Sequence, residues 1–171
     1  MKSTIISVAA VASLLLSGCV SQHPQTVEEF RQAVPGAFMA KVETYEVDRP
    51  FSEVSGSFEK YAPKCLDVTI ETESRTNMSY QYIVTDYNPT VVAGRDITEL
   101  HLQRHHAQGV MNVTKEPEGG YYLLVADATP VGKNNTRIDI YGPSRGFDVI
   151  TRAIKGWASG KNMGCPDLTK I

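Results

Sequence analysis

Tyr121-Tyr122-Leu123-Leu124-Val125-Ala126 is an unbroken apolar run. A strand without polar alternation is buried on both faces, so residues 121–128 are expected at the centre of a sheet. Immediately before them, Glu116-Pro117-Glu118-Gly119-Gly120 carries the Pro and Gly of a tight connection. With residues 110–114 on its other side, it reads as the turn of a hairpin.

Working outward, residues 66–72 alternate strictly, with Leu66, Val68, Ile70 and Thr72 on one face and Asp67, Thr69 and Glu71 on the other. That is the pattern of a half-buried strand. Further strands are expected over 37–47, where Phe38, Ala40 and Val42 alternate with Met39, Lys41 and Glu43, and over 79–86, 98–105 and 137–141. Turns are expected at Arg75-Thr76-Asn77 and at 132–135, and Asn88-Pro89 is expected to break the strand before it. Two segments have helical spacing instead. Phe51, Val54, Phe58 and Tyr61 share one face of a helix entered at Pro50 and ended by Pro63, with Cys65 just beyond. Phe147, Ile150, Ile154 and Trp157 share one face of a final helix, opened by Gly142-Pro143-Ser144 and capped by Gly160. The strands follow one another without intervening helices, which implies an antiparallel sheet. The expected fold class is therefore α+β: a curved antiparallel sheet of about seven strands, with an N-terminal-side helix and a C-terminal helix packed on it.

This order resembles the helix-grip fold of the START and Bet v 1-like superfamily. Its local counterpart is Tyr45-Glu46-Val47-Asp48-Arg49-Pro50-Phe51-Ser52-Glu53-Val54, a first strand running through a proline into a first helix. The resemblance implies a site for lipids or other apolar ligands between the sheet and the last helix. Fold by itself does not fix function.

The N-terminus carries a separate signal. Lys2 precedes a short apolar region, Ile5 to Leu16, that ends in Ser17 and Gly18. A transmembrane helix needs ~20 predominantly apolar residues, and this run is shorter, so it reads as a secretory signal peptide. Leu16-Ser17-Gly18-Cys19 resembles the lipobox of bacterial lipoproteins. The resemblance implies cleavage before Cys19 and acylation of that cysteine. Each buried methylene contributes about 0.8 kcal/mol, and two or more chains anchor firmly where one is marginal. Val20, rather than Asp, follows Cys19; in proteins of this type that implies the outer membrane, with the body on the periplasmic face. The chain then divides into a signal peptide (1–18), a lipidated tether with a short helix (19–36) and a single α+β domain (37–171). In the tether, Thr26-Val27-Glu28-Glu29 has capping-box spacing, and Pro35-Gly36 closes the helix it starts.

If Cys19 is acylated, Cys65 and Cys165 are the two cysteines left. The periplasm is oxidising, so a disulfide is the default for that pair, with two free thiols or an intermolecular bridge as the alternatives. Beyond the N-terminus no stretch is long and apolar enough to span a bilayer. The formal net charge of the 171 residues is −2 and no basic run occurs, so nothing supports a nucleic-acid partner, which would need clustered Lys and Arg on one face.

The candidate chemistry is sparse. His101, His105 and His106 are close in sequence, but zinc wants three or four converging ligands, and no metal or other cofactor is expected. Gly142-Pro143-Ser144-Arg145-Gly146 lacks the Lys-Ser/Thr ending of a phosphate loop and reads as a turn. Glu71 and Glu73 read as the exposed face of a strand, and no serine sits in a Gly-x-Ser-x-Gly elbow. The expectation is a non-catalytic accessory or structural module of the envelope, attached to the membrane through acyl chains on Cys19, with another envelope protein or an apolar ligand as the partner; the alternative is a binder of lipid or another apolar ligand in a helix-grip cavity.

Overall fold

The computed structural model describes residues 23–75, 80–108 and 116–171. Cys19 and the signal segment lie outside the described residues, as do the expected strand at 110–114 and most of the turn at Arg75-Thr76-Asn77.

The elements in order are helix α1 (Val27–Ala33), a 3-10 turn (Val34–Gly36), β1 (Ala40–Val47), α2 (Phe51–Leu66), β2 (Val68–Arg75), β3 (Tyr80–Ala93), β4 (Thr98–Gln108), β5 (Tyr121–Val131), β6 (Asn135–Pro143), α3 (Asp148–Ala158) and a second 3-10 turn (Leu168–Lys170). The six strands form one open antiparallel sheet in the order β1-β6-β5-β4-β3-β2. The fold is α+β as expected, with six strands among the described residues rather than about seven.

β5 lies between β4 and β6 and is buried from Leu123 to Ala128. Both of its faces are covered. Leu124, Ala126 and Ala128 join the main core with α2 and α3, whereas Val125 joins Phe30 and Val34 of the N-terminal segment in a second cluster. The molecule thus has three layers: α2 and α3 on an inner face, the sheet, and α1 on the outer face. Ile150, Ile154 and Trp157 of α3 and Phe58 of α2 are fully buried, and the Tyr61 and Trp157 rings stack at 5.8 Å. Arg49, at the β1–α2 junction, donates from Nη1 to the carbonyls of Trp157 and Ala158 at 3.1 and 2.9 Å. It therefore caps the C-terminal end of α3, where carbonyls lack intrahelical partners. Gly160 follows with φ +73, the left-handed conformation that ends a helix without a Cβ penalty.

Four local expectations are corrected. α2 runs through Pro63 to Leu66, so Cys65 is in its last turn. Pro63 is exposed while Ala62, Cys65 and Leu66 are buried; the hydrogen bond that proline removes is on the solvent side, where water replaces it. β3 continues through Asn88-Pro89 to Ala93. Its pairing with β2 stops at Tyr87, so Pro89 has a neighbouring strand on one side only, the position in which a sheet accepts proline. Gly142 and Pro143 do not open the last helix: they pair with Lys41 and Ala40 in the sheet, and α3 starts at Asp148 with Phe147 as its cap residue. β1 begins at Ala40 rather than residue 37, and Phe38, Met39 and Val42 are exposed. Tyr45 and Val47 are the residues of β1 that reach the core.

Candidate functional site

The geometry with most functional content is on the outer face, where the N-terminal segment docks. Thr26 starts α1 by accepting a hydrogen bond from the Glu29 amide on Oγ1 at 3.2 Å, and Glu29 Oε2 accepts from the Gln25 amide at 2.7 Å. This is the capping arrangement its spacing predicts, with the return bond one residue earlier. Val27, Phe30 and Val34 then fall on the face toward the sheet, and Phe30 meets the Tyr122 ring at 5.9 Å.

One turn along, Arg31 holds two carboxylates. Its Nε and Nη2 donate to Asp127 at 2.8 Å each, and Nη2 lies 2.7 Å from Glu99 Oε2. The Arg31 and Asp127 side chains retain 17% and 8% of their exposure, so the pair is largely out of water and its loss is costly. Burial pushes the Asp127 carboxyl above its ordinary range, against the pull of Arg31. For Glu99, burial acts upward too, but hydrogen bonds from Arg31 and His101 outweigh it and the carboxyl ends lowered. The Asp127 bond raises the Arg31 guanidinium further above its already high value. The cation is permanent, and α1 is fixed to β4 and β5 by charge as well as by apolar contact.

Beside this helix is a groove of about 380 Å³ whose walls include Pro24, Phe30, Val34, Tyr122 and Leu123. Its rim is Phe38-Met39, the link between the 3-10 turn and β1. Phe38 is 94% exposed and Met39 51%. Met39 has φ +59, a conformation disfavoured for a residue with a Cβ. The Ser144 amide, donating to the Met39 carbonyl at 2.8 Å, holds it there. That is the role the structure gives the turn after Pro143.

The three histidines are separated by their partners. His101 Nε2 meets Glu99 Oε2 at 3.0 Å, His105 Nδ1 meets Glu116 Oε1 at 2.9 Å, and His106 Nδ1 meets Thr85 Oγ1 at 3.0 Å. Burial lowers the His106 pKa, which favours the neutral ring. Among the described residues no group of three or more His, Cys, Asp or Glu could hold a metal ion. Glu71 and Glu73 are exposed on β2.

No family model and no curated protein matches the chain.

Cys65 and Cys165 are joined by a disulfide, with Cα atoms 4.8 Å apart across a sequence separation of 100. It ties the last turn of α2 to the segment after α3. Leu168 is buried in the main core and Ile171 packs against it, so the C-terminal tail returns to the body. Among the described residues no helix is long and apolar enough to cross a membrane.

The docking of α1 was not anticipated from sequence. Two signals were available: Val27, Phe30 and Val34 at spacings of three and four, and Asp127 close behind the apolar run of a central strand. A buried carboxylate in that position demands a cation.

Proposed function

We propose that this chain is a bacterial lipoprotein, cut before Cys19 and held by acyl chains on that residue to the periplasmic face of the outer membrane. Its body would serve as a non-catalytic accessory or structural module of the envelope. The observation that carries this reading is the docked N-terminal segment. The Leu16-Ser17-Gly18-Cys19 stretch is followed within a few residues by Pro24, Thr26 and a helix fixed to the central strands through Arg31 and Asp127. An anchor so close to a rigid body suits a protein that works at the membrane surface.

The helix-grip reading, with an apolar ligand between sheet and last helix, has less support. Trp157, Ile150, Ile154, Phe58 and Leu124 occupy that space as packed side chains. The histidines, each engaged by a different partner, supply no support for a catalytic role.

The test is the intact mass of the protein extracted from membranes with detergent. Loss of Met1 to Gly18 and acyl chains on residue 19 are expected, and Cys19→Ser should leave an uncut or soluble chain. An unmodified N-terminus at another residue overturns the reading.

A further inference from the structure

We propose that Phe38 and Met39 insert into the boundary between headgroups and acyl chains of the same bilayer that holds Cys19. This inference rests on the anchor reading and adds to it a second, non-covalent membrane contact that sets the orientation of the body.

Three observations carry it. The first is reach. Pro24 lines the groove beneath Phe38, and Cys19 is five residues before Pro24. A fully extended chain of that length spans at most about 18 Å. An acylated Cys19 therefore keeps this end of the body at the membrane surface, and the patch lies where lipid is the nearest apolar phase.

The second is chemistry. The side chains around the groove and its rim are uncharged, from Pro24 and Phe30 through Phe38 and Met39 to Leu123 and Pro143. Phe38 is 94% exposed, whereas large apolar side chains that project singly into lipid are a usual feature of interfacial anchors, which sink roughly 5–10 Å into the boundary. Tyr122, a ring with a polar tip, lines the same groove, and such residues are enriched at membrane interfaces.

The third is construction. Met39 is held in a left-handed conformation by the Ser144 amide. A glycine would take that turn without a Cβ penalty; here an apolar side chain stands where the backbone disfavours one. Strain of this sort persists where surrounding structure enforces it and accompanies function more often than chance. The rim is also rigidly backed: β1 and β6 pair up to Ala40 and Pro143, and α1 is fixed beside them.

The test uses the full acylated chain carrying Phe38→Trp, reconstituted into phosphatidylethanolamine–phosphatidylglycerol vesicles whose acyl chains are brominated. The native Trp157 is fully buried and gives a constant background. A second reporter, Val131→Trp, sits at the far end of β5, where the hairpin to β6 begins and exposure is 40%. The Phe38→Trp emission is expected to move to the blue and to fall about twofold or more in brominated vesicles, with the Val131→Trp emission unchanged. Intact mass on the same samples reports the acyl chains. An acylated, vesicle-bound protein whose Phe38→Trp reporter is not quenched, or is quenched no more than Val131→Trp, overturns the insertion while leaving the anchor standing. Shielding of the reporter that depends on protein concentration, with chain-to-chain cross-links, assigns the rim to a second copy and also overturns it. A protein without acyl chains overturns the anchor reading and this inference together.

Discussion

The guanidinium of Arg31 lies across the carboxylate of Asp127 in a two-bond fork, Nε to Oδ2 and Nη2 to Oδ1, both at 2.8 Å. The residues are 96 positions apart, and this fork is what joins the N-terminal segment to the middle of the sheet. Arg31→Ala leaves Asp127 without its cation beside Glu99, which keeps only His101, in a site mostly closed to water. The expected cost is about 3 kcal/mol, read as a lower denaturant midpoint. Faster proteolytic cutting between residues 23 and 40 should accompany it. Arg31→Lys should recover part of the loss and no more, since an ammonium cannot make the fork.

The Cys65–Cys165 bond closes a loop of 100 residues. Chain-entropy arguments put such a link at up to about 4.7 kcal/mol, with smaller values common in practice. Cys165→Ala should therefore lower the melting temperature and free the tail that contains Leu168 and Ile171, without unfolding the body at room temperature. Alkylation before reduction should label neither cysteine. Labelling of both in the folded protein would show that the link does not form in solution.

Two glycines of the body should respond differently to alanine. At Gly120, φ is +108 and an added Cβ would lie 2.4 Å from the Arg104 carbonyl oxygen, a backbone atom in β4. Neither the turn nor the strand can yield, so Gly120→Ala should cost roughly 3 kcal/mol or prevent folding. At Gly156 the added Cβ meets Met163 Cγ at 2.1 Å, but that side chain is half exposed and flexible. Gly156→Ala should be the milder change, and thermal melts of the two variants compare them directly.

Glu43 on β1 receives Lys155 from α3 and Lys41 from its own strand. Those hydrogen bonds, Lys155 first, hold its carboxyl below the ordinary 4.5. A depressed carboxyl adds stability that is complete above the unfolded value and is lost as pH falls through the folded one. Stability should thus decline from about pH 4.5 downward. Lys155 and Glu43 are both partly exposed, so the share due to this site is less than about 1 kcal/mol. Urea midpoints measured from pH 7 to pH 3 should fall less steeply in Glu43→Gln. A variant with the wild-type acid slope would show that the decline comes from other carboxylates.

How much of this was legible in the sequence differs from element to element. The run from Tyr121 to Ala126 announced a central strand because twofold burial leaves no polar alternation, and β5 lies there. Ile150, Ile154 and Trp157 announced α3 because a helix that packs on a sheet has to gather its apolar residues on one stripe. Proline misled at Pro63 and Pro89, as it did at Pro143, because its effect depends on whether the side it faces needs a hydrogen bond, which only the tertiary arrangement decides. The face of β1 was equally hidden: alternation defines two faces but not which one the helices cover, and Tyr45 and Val47 decide it. The outer-face site was unreadable for a further reason. Arg31, Glu99 and Asp127 come from three distant segments, and no local spacing connects them.

The sheet order has a consequence for how the chain assembles. β1 pairs with the last strand, α1 finds its acceptor carboxylates on β4 and β5, and Cys65 waits for Cys165. A chain made from its N-terminus therefore has its opening segments present long before their counterparts exist. Closure of these long loops must be paid in chain entropy before the contacts are gained, which is the signature of high contact order and folding in milliseconds to seconds rather than microseconds. The meander from β2 to β6 can grow by neighbour-to-neighbour pairing. β1 can join it only once β6 has been made, and Cys65 is closed off only when Cys165, near the end of the chain, is present.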